Sequence, residues 1–174
     1  MAIRALTRNE IDLIWTIDRS EAHHHIYRNV DGRLILVPAY FDIPGWHPNT
    51  IQTDRNKLQD CFDRGGIFLA EFRADLLVGV SVLDTKPIKT APEQLQLLYL
   101  YVTRQARAQG VGTRLLELTA AEARALKAKA LYISATPTEN TVNFYLRSGS
   151  SLNPNPDPDL FAAEPEDIHL VYRL

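Results

Sequence analysis

The sequence predicts an α/β domain built around a largely antiparallel sheet. The chain has 174 residues, 45% of them hydrophobic and 23% charged, which is the composition of a globular domain with a substantial core. Apolar segments alternate between the period of a strand and that of a helix. After one short strand, the predicted elements follow the order ααβββαβαβ, which is typical of mixed α/β proteins.

Cap and turn signals define the elements of the first half. Thr7 and Glu10 have the spacing of a capping box and predict the start of a helix. The Asp31-Gly32 pair predicts a hairpin, and prolines over 38–48 predict irregular chain after it. The predicted elements are a strand over 2–6, a helix carrying Ile11, Leu13, Ile14 and Ile17, hairpin strands over 26–30 and 34–37, a helix over 53–63, and strands over 67–72, 76–83 and 95–102.

The second half begins with an amphipathic helix. After Gly110 the apolar residues fall within one broad arc at helical period. Gly149 is placed to end a later helix as its C′ residue. Four prolines within 154–165 predict an irregular loop. The predicted elements are a helix from Val111 to about Leu126, a strand over 131–135, a helix over 140–148 and a strand over 168–173.

Charge and cysteine content argue against several classes of function. Nineteen basic residues against 21 acidic ones give a net charge of −2, which disfavours a general binder of nucleic acid or anionic membrane. Cys61, the single cysteine, cannot form an internal disulfide, and without zinc-type Cys/His spacing no metal is expected. Without a signal peptide or an apolar run of about 18 residues, we expect a cytoplasmic protein.

The charges are unevenly distributed along the chain. Residues 104–129 carry a local charge of +4, which leaves −6 on the remainder. Both blocks could be solvated surface, or they could form a basic site for a polyanion beside an acidic approach for a cation. The second interpretation rests on an acidic block, which consists of Asp157, Asp159, Glu164, Glu166 and Asp167.

A glycine-rich turn precedes the helix at Val111. Its sequence is Arg107-Ala108-Gln109-Gly110-Val111-Gly112-Thr113. Glycines let backbone amides approach a ligand, and the first-turn amides of a helix lack internal partners and carry the positive end of its dipole. An anion site is therefore predicted, although the glycines could serve only a tight turn. Leu115 in place of a third glycine argues against a dinucleotide fingerprint, and a P-loop would need a Gly-Lys pair, which the chain lacks.

A second motif follows one strand later. It reads Asn140-x-x-Asn143-Phe144-Tyr145-x-x-x-Gly149, and it follows the apolar strand, the Arg107-x-x-Gly110-x-Gly112 turn and the amphipathic helix. This ordered combination resembles the acetyl-CoA site of the GNAT superfamily of N-acetyltransferases. The resemblance implies one N-acetyltransferase domain over 1–174, with helices on both faces of a mixed, mostly antiparallel sheet and its fourth and fifth strands splayed around acetyl-CoA. It also implies direct transfer of an acetyl group from acetyl-CoA to an amine of a small molecule or protein.

The resemblance implies roles for the matching residues. Tyr145 would be catalytic, giving a proton to the departing thiolate, while Asn140 and Asn143 would bond the cofactor or fix the helix start. The pantetheine would pair with the strand, and the pyrophosphate would lie on the amides of the glycine-rich turn. The implied cofactor-binding residues are Leu100, Val102, Arg107, Gln109, Gly110, Val111, Gly112, Thr113, Asn140, Asn143 and Tyr145.

The sequence departs from the family at the proton acceptor. Many members have a glutamate where this chain has Gln96, whose amide cannot usefully accept a proton. Glu93 is the predicted catalytic replacement, acting through water, while Asp42 or a histidine could also serve, or the amine could arrive neutral. Since three consecutive side chains cannot converge on one ion, we expect His23–His25 to be exposed.

The acceptor amine is not specified by the sequence. Residues 20–50 and 154–167 would wall its pocket, and the acidic block would attract a cationic amine. Aromatic candidates for the lining, each of which could instead be an ordinary buried residue, are Tyr27, Tyr40, Phe41 and Trp46.

Two other classes of protein stay open at this point. Gln96 suggests a CoA-binding sensory or regulatory module without turnover, and the glycine-rich turn alone would fit a generic phosphate-binding domain. The sequence does not decide between a monomer and a homodimer.

Overall fold

Nine strands form two sheets in the computed structural model, which describes residues 2–174 and so leaves Met1 of the predicted domain outside. The strands are β1 (Ala2–Ala5), β2 (Glu21–Val30), β3 (Arg33–Ile43), β4 (Ile67–Arg73), β5 (Leu76–Ile88), β6 (Ala91–Val102), β7 (Ala130–Ala135), β8 (Ser151–Leu152) and β9 (Ile168–Arg173). Seven of them lie in the order β1-β4-β5-β6-β7-β9-β8, and β2 pairs with β3 separately. Only β6 and β7 are parallel neighbours, so the sheet is mostly antiparallel as predicted.

Helices cover both faces of the seven-stranded sheet. They are a 3-10 helix over Arg8–Thr16, α1 (Pro48–Asp63), a short 3-10 turn over Arg104–Ala106, α2 (Val111–Ala125), α3 (Glu139–Arg147) and α4 (Pro158–Ala163). On one face Leu116 of α2 packs in a cluster with Leu83 and Leu97. On the other face Ile14 and Leu58 pack in a cluster with strand residues of β4 to β6. The predicted fold class is confirmed.

The first helix is a 3-10 helix because its apolar residues recur every third position. Ile11, Ile14 and Ile17 are each at most 1% exposed. A spacing of three aligns side chains on a helix with 3.0 residues per turn, so all three lie against the sheet. The predicted capping box is present, since the Thr7 amide donates to Glu10 Oε2 at 2.9 Å.

The β2–β3 hairpin is much longer than predicted. Asp31 (φ 51°) and Gly32 (φ 79°) make the tight turn, but β3 continues through Pro38 to Ile43 instead of becoming irregular. Pro38 is tolerated because it lies where the strand register shifts opposite His25.

At three other places, regular elements contain prolines that the prediction had interpreted as irregular chain or as element ends. Pro48 begins α1 five residues before the predicted start, with His47 as its cap. β5 and β6 extend past Pro87 and Pro92, beside register shifts. The predicted irregular loop over 154–165 contains α4, because Asp157 accepts hydrogen bonds from two first-turn amides.

A bulge in β6 moves its side chains from one face of the sheet to the other. Val82 pairs with Tyr99 and Leu83 with Leu97, so Leu98 has no partner residue opposite. Leu97 packs in the cluster that contains α2, whereas Tyr99 packs in the cluster that contains the first 3-10 helix. The two halves of β6 therefore present their alternate side chains to different layers.

Gly79 allows the start of α2 to lie close against β5. A Cβ at this position would be 2.6 Å from Val111 Cγ1 and 3.0 Å from Leu115 Cδ1. We expect Gly79→Ala to lower the free energy of unfolding by about 1–3 kcal/mol, as in other overpacked cores. Denaturant unfolding of Gly79→Ala, Val111→Ala and the double variant measures this. The double variant should lose less than the sum of the single losses, and simple additivity would contradict the steric explanation.

Candidate acetyl-transfer site

β6 and β7 separate beyond a short paired segment and open a cleft of about 880 Å³. Their parallel register runs only from Gln94–Gln96 to Ala130–Tyr132. Beyond it, residues 97–102 of β6 pair with β5, and no described strand pairs with their other edge. An exposed strand edge of this kind can bind an extended ligand through its backbone groups.

The glycine-rich turn lies at the wall of this cleft. Gly110 is the cap of α2 and adopts φ 76°, a conformation that favours glycine. Gly110, Gly112 and Thr113 line the cleft, and the first-turn amides at this helix end have no intrahelical acceptor. A Cβ at Gly112 would lie 3.4 Å from the Phe144 ring, so glycine leaves this space open to a ligand. The turn can thus present several N–H donors to one anion.

Glu21 of β2 connects the two walls of the cleft. Its carboxylate accepts from Arg107 Nη1 at 2.7 Å and from Asn140 Nδ2 at 2.5 Å. Arg107 also donates through Nε to the Val102 carbonyl at 3.2 Å. The guanidinium of Arg107 is therefore engaged with the protein, which leaves anion binding mainly to the backbone amides of the turn.

Most of the implied cofactor residues line the cleft, but two do not. Gln109 accepts from Arg73 Nη1 at 2.6 Å, and Asn143 accepts from the Tyr27 hydroxyl at 2.9 Å. Asn140 lines the cleft within the first turn of α3, whose cap is Thr138. The lining residues among those implied are Leu100, Val102, Arg107, Gly110, Val111, Gly112, Thr113, Asn140 and Tyr145.

Tyr145 is a buried cleft residue on α3. Its side chain is 6% exposed and packs edge-on against Phe144, with ring centroids 5.1 Å apart. Burial raises the pKa of its hydroxyl, and the charge of Asp167 raises it further. The hydroxyl therefore keeps its proton at neutral pH, as a proton donor must.

The structure does not bring Glu93 into the cleft. Glu93 is exposed, and its carbonyl accepts from the Lys129 amide at 2.7 Å. Asp42 is also exposed, and neither it nor Gln96 lines the cleft.

His23 is a cleft residue, whereas the sequence offered a histidine only as one alternative base and did not single out His23. The expectation that His23–His25 are all exposed is wrong, because His23 is only 4% exposed and tilts against Phe41. Its Nδ1 is 3.9 Å from a Glu21 carboxylate oxygen, and its buried Nε2 has no partner among the described residues. Alternation along β2 turns His23 inward while His24 points outward, and a strand over the triplet would have signalled this.

The aromatic lining of the cleft also differs from prediction. Tyr99 and Tyr101 line it, whereas Tyr27, Tyr40, Phe41 and Trp46 do not. Trp46 instead supports Tyr101 from behind, with ring centroids 4.8 Å apart.

Two residues of the acidic block have partners outside this cleft. Asp157 caps α4 and accepts from Thr90 at 2.8 Å, while Asp159 pairs with Lys89. Glu166 and Asp167 line a second, smaller pocket of about 290 Å³ beside β2. No member of the block lines the cleft in residues 2–174, although the charges of Asp167 and Glu164 contribute to raising the pKa of Tyr101, which does. The block's predicted place at the acceptor mouth stays a prediction.

The family profile described as "Acetyltransferase (GNAT) family" matches residues 34–149, more than half of the chain. The chain belongs to the GNAT acetyltransferase family. It is therefore an acyltransferase by family, and acetyl-CoA as its cofactor is confirmed at that level. No curated protein sequence matches the chain.

Solved GNAT structures share this fold over nearly the whole chain. A nourseothricin acetyltransferase is 18% identical, with a TM-score of 0.74 over 99% of this chain and 97% of its own. A protein from Bacillus anthracis str. Ames solved with acetyl coenzyme A is 15% identical, with a TM-score of 0.68 over 99% of both chains. PaiA N-acetyltransferase from Thermoplasma acidophilum, in complex with coenzyme A, is 14% identical, with a TM-score of 0.65 over 100% of both. Identities this low establish the shared fold and no shared substrate.

The described residues contain neither a helix that could span a membrane nor a cluster of metal-ligating side chains. None of the helices within residues 2–174 has the length and apolar character that crossing a bilayer requires. The same residues contain no group of three or more His, Cys, Asp or Glu side chains placed to hold a metal ion.

Proposed function

We propose that this GNAT protein transfers an acetyl group from acetyl-CoA to an amine of a small molecule or protein by direct attack. The observation that supports it best is the meeting, in one cleft, of an amide-rich turn, an unpaired strand edge and the buried hydroxyl of Tyr145. These three features match the three needs of the reaction, namely an anion cradle, an extended binding edge and a proton donor.

The described residues fit acetyl-CoA. The amides of Gly110 to Thr113 would hold its pyrophosphate at the start of α2, and the free edge at Leu100 and Val102 would pair with its pantetheine arm. When bound, acetyl-CoA supplies a thioester whose carbonyl carbon accepts the amine. A glycine at 112 fits this role, because a Cβ there would fill the space next to Phe144.

Two side chains would move the protons. As the new C–N bond forms and the C–S bond breaks, Tyr145 gives its hydroxyl proton to the departing sulfur, and the amine loses a proton to the buried Nε2 of His23. Solvent then returns a proton from His23 to Tyr145. His23 suits this role better than Glu93, because the residue lines the cleft and its buried Nε2 has no partner among the described residues.

The pH dependence tests His23. Burial is the main cause that lowers its pKa below 6.5, so the imidazole stays neutral until the pH falls below that value. The kcat/KM of the wild type should therefore fall on an acid limb below about pH 6.5. The charged groups acting on His23 are Glu21 on its own strand, Asp42 on β3, Arg19 before β2 and Arg107 before α2.

We expect His23→Gln to lower kcat/KM at pH 7 about tenfold. This is less than the usual rate effect of a general base, because some of the amine arrives neutral. The acid limb assigned to His23 should also disappear. His24→Gln, the same substitution on the next, outward-facing residue, is the control and should keep the wild-type profile. An unchanged acid limb in His23→Gln would remove His23 from the reaction.

Release of CoA from acetyl-CoA, measured with a panel of polyamines, aminoglycosides, amino acids and peptides, tests the proposed function. Acetylated product, identified by mass, supports it. Tight binding of acetyl-CoA without turnover on any amine would favour a CoA-binding sensory or regulatory module.

A further inference from the structure

Arg19 places a positive charge in the cleft beside the aromatic lining. Its guanidinium lies 5.2 Å from the ring centroid of Tyr101 and 4.8 Å from that of Trp46. Rings in contact with a guanidinium hold it in place through their faces while its N–H groups stay available at the edge. Arg19 itself lines the cleft, so these donors have access to a ligand there.

No acidic side chain of residues 2–174 lies within ion-pair distance of Arg19. Nearby carboxylates are otherwise engaged. Glu21 accepts from Arg107 and Asn140, and Asp54 accepts from the Tyr99 hydroxyl. A cation in a partly enclosed cleft without an internal counter-ion is suited to an anion brought by a ligand.

Contacts of the two residues before Arg19 fix its position. The Asp18 amide donates to Thr103 Oγ1 at 3.2 Å, and the Asp18 carbonyl accepts from the Arg104 amide at 2.8 Å. Trp46 donates through Nε1 to the Ile17 carbonyl at 2.8 Å, which fixes the ring beneath the guanidinium. Arg19 is therefore held in place before any ligand binds, which lowers the cost of binding.

The position of Arg19 favours the acceptor over the cofactor as its ligand. Tyr101 and Trp46 pack with the cluster of the first 3-10 helix and α1. The start of α2, with the glycine-rich turn, packs on the opposite face of the sheet with Val78. The cofactor phosphates that we assign to that turn would thus bind away from Arg19.

We propose that Arg19 binds a carboxylate of the acceptor, so that the amine acetylated by this protein belongs to an amino acid. This inference rests on the proposed function and specifies its substrate class. A planar guanidinium matches a carboxylate through two parallel N–H···O bonds. His23 lines the same cleft, so a ligand that carries both an amine and a carboxylate can contact both side chains there.

The test compares the 20 common L-amino acids with their carboxamides as acceptors. Each carboxamide keeps the α-amine but lacks the negative charge. Its amine is also less basic, so it is more often neutral and the amine chemistry alone favours the amide. For the preferred side chain, the wild type should acetylate the acid with a kcat/KM about 30-fold above that of the amide, as expected for hydrogen bonds to a charged group.

Arg19→Gln should reduce this acid-to-amide ratio to about one, because a neutral amide cannot replace the charge-assisted pair. Arg19→Lys, which keeps the charge but not the paired N–H groups, should give an intermediate ratio. The ratio is measured within one preparation, so partial unfolding of a variant cancels. Arg124→Gln, an exposed arginine of α2 outside the cleft, is the control and should keep the wild-type ratio.

A ratio near or below one in the wild type would overturn the inference while leaving acetyl transfer intact. The inference would also be overturned if Arg19→Gln kept the wild-type acid-to-amide ratio and raised the KM for acetyl-CoA. Arg19 would then be a cofactor contact. If no amine is acetylated, the proposed function fails separately. In that case, calorimetry of the same amino acids with CoA-saturated protein tests the role of Arg19. Binding of the amino acid to the wild type that is lost in Arg19→Gln supports the inference. Absence of binding to the wild type overturns it.

Discussion

Gly110→Glu should abolish measurable binding of acetyl-CoA, with a loss of affinity of at least about 10³-fold. The side chain would enter the amide-lined turn at the start of α2, and its negative charge would occupy the place that we assign to the pyrophosphate. The nearest atom to a Cβ at this position is Arg114 Nη1 at 3.0 Å, the flexible end of a side chain. The protein should therefore tolerate the added Cβ, while the anion site should not. Calorimetric titration with CoA measures the loss.

The backbone conformation of Gly110 requires its own control. Its φ of 76° lies in the left-handed region, so any L-residue there costs about 1–2 kcal/mol of stability. Gly110→Ala carries the same strain without the charge or the reach of glutamate. We expect it to bind CoA within about tenfold of the wild type, since the backbone amides stay in place. Equal affinity of folded Gly110→Glu and the wild type would show that this turn does not bind the cofactor.

The cofactor side of the cleft was predictable because its features are local in sequence. Gly110 and Gly112 lie in one turn, and Tyr145 lies in one helix, so their spacing determines their relation within each element. A strand followed by a glycine-rich turn and an amphipathic helix allows few alternative structures. The prediction therefore placed the glycine-rich turn correctly at the start of α2, and the anion site there stays a prediction.

The side of the cleft that we propose for the acceptor was not predictable, because long-range pairing builds it. His23 is buried only because β2 extends through the histidine triplet and its register places Phe41 opposite. The proline at position 38 argued against such a strand, and only a register shift in the partner makes it acceptable. A one-residue change of register would have turned the three histidines to the other face.

Charge counting did not identify Arg19, for a related reason. Two residues of the acidic block have local partners. Asp157 caps the start of α4, and Asp159 forms an ion pair with Lys89. The charge that we propose to bind the acceptor is that of Arg19, a single residue whose availability depends on which carboxylates have other partners. Net charge over a segment cannot distinguish paired from unpaired groups.

Removal of the Tyr145 hydroxyl should lower kcat at least about 10²-fold, within the range of general acid catalysis. Tyr145→Phe keeps the ring that packs against Phe144 in the core and removes only the proton donor. Because the ring stays in place, the KM for acetyl-CoA should change little. An effect on kcat with KM preserved identifies an interaction made in the transition state. Steady-state kinetics with a saturating acceptor provide both constants.

Tyr101→Phe is the matched control, since it removes another tyrosine hydroxyl that lines the same cleft. Its kcat should change only a few-fold. Burial raises the pKa of Tyr145 above its ordinary value, so the donor stays protonated as the pH rises, and the wild type should show no loss of kcat from this group below about pH 10. If Tyr145→Phe and Tyr101→Phe have equal kcat values, Tyr145 is a packing residue of α3, and the sulfur must take its proton from water that enters the cleft.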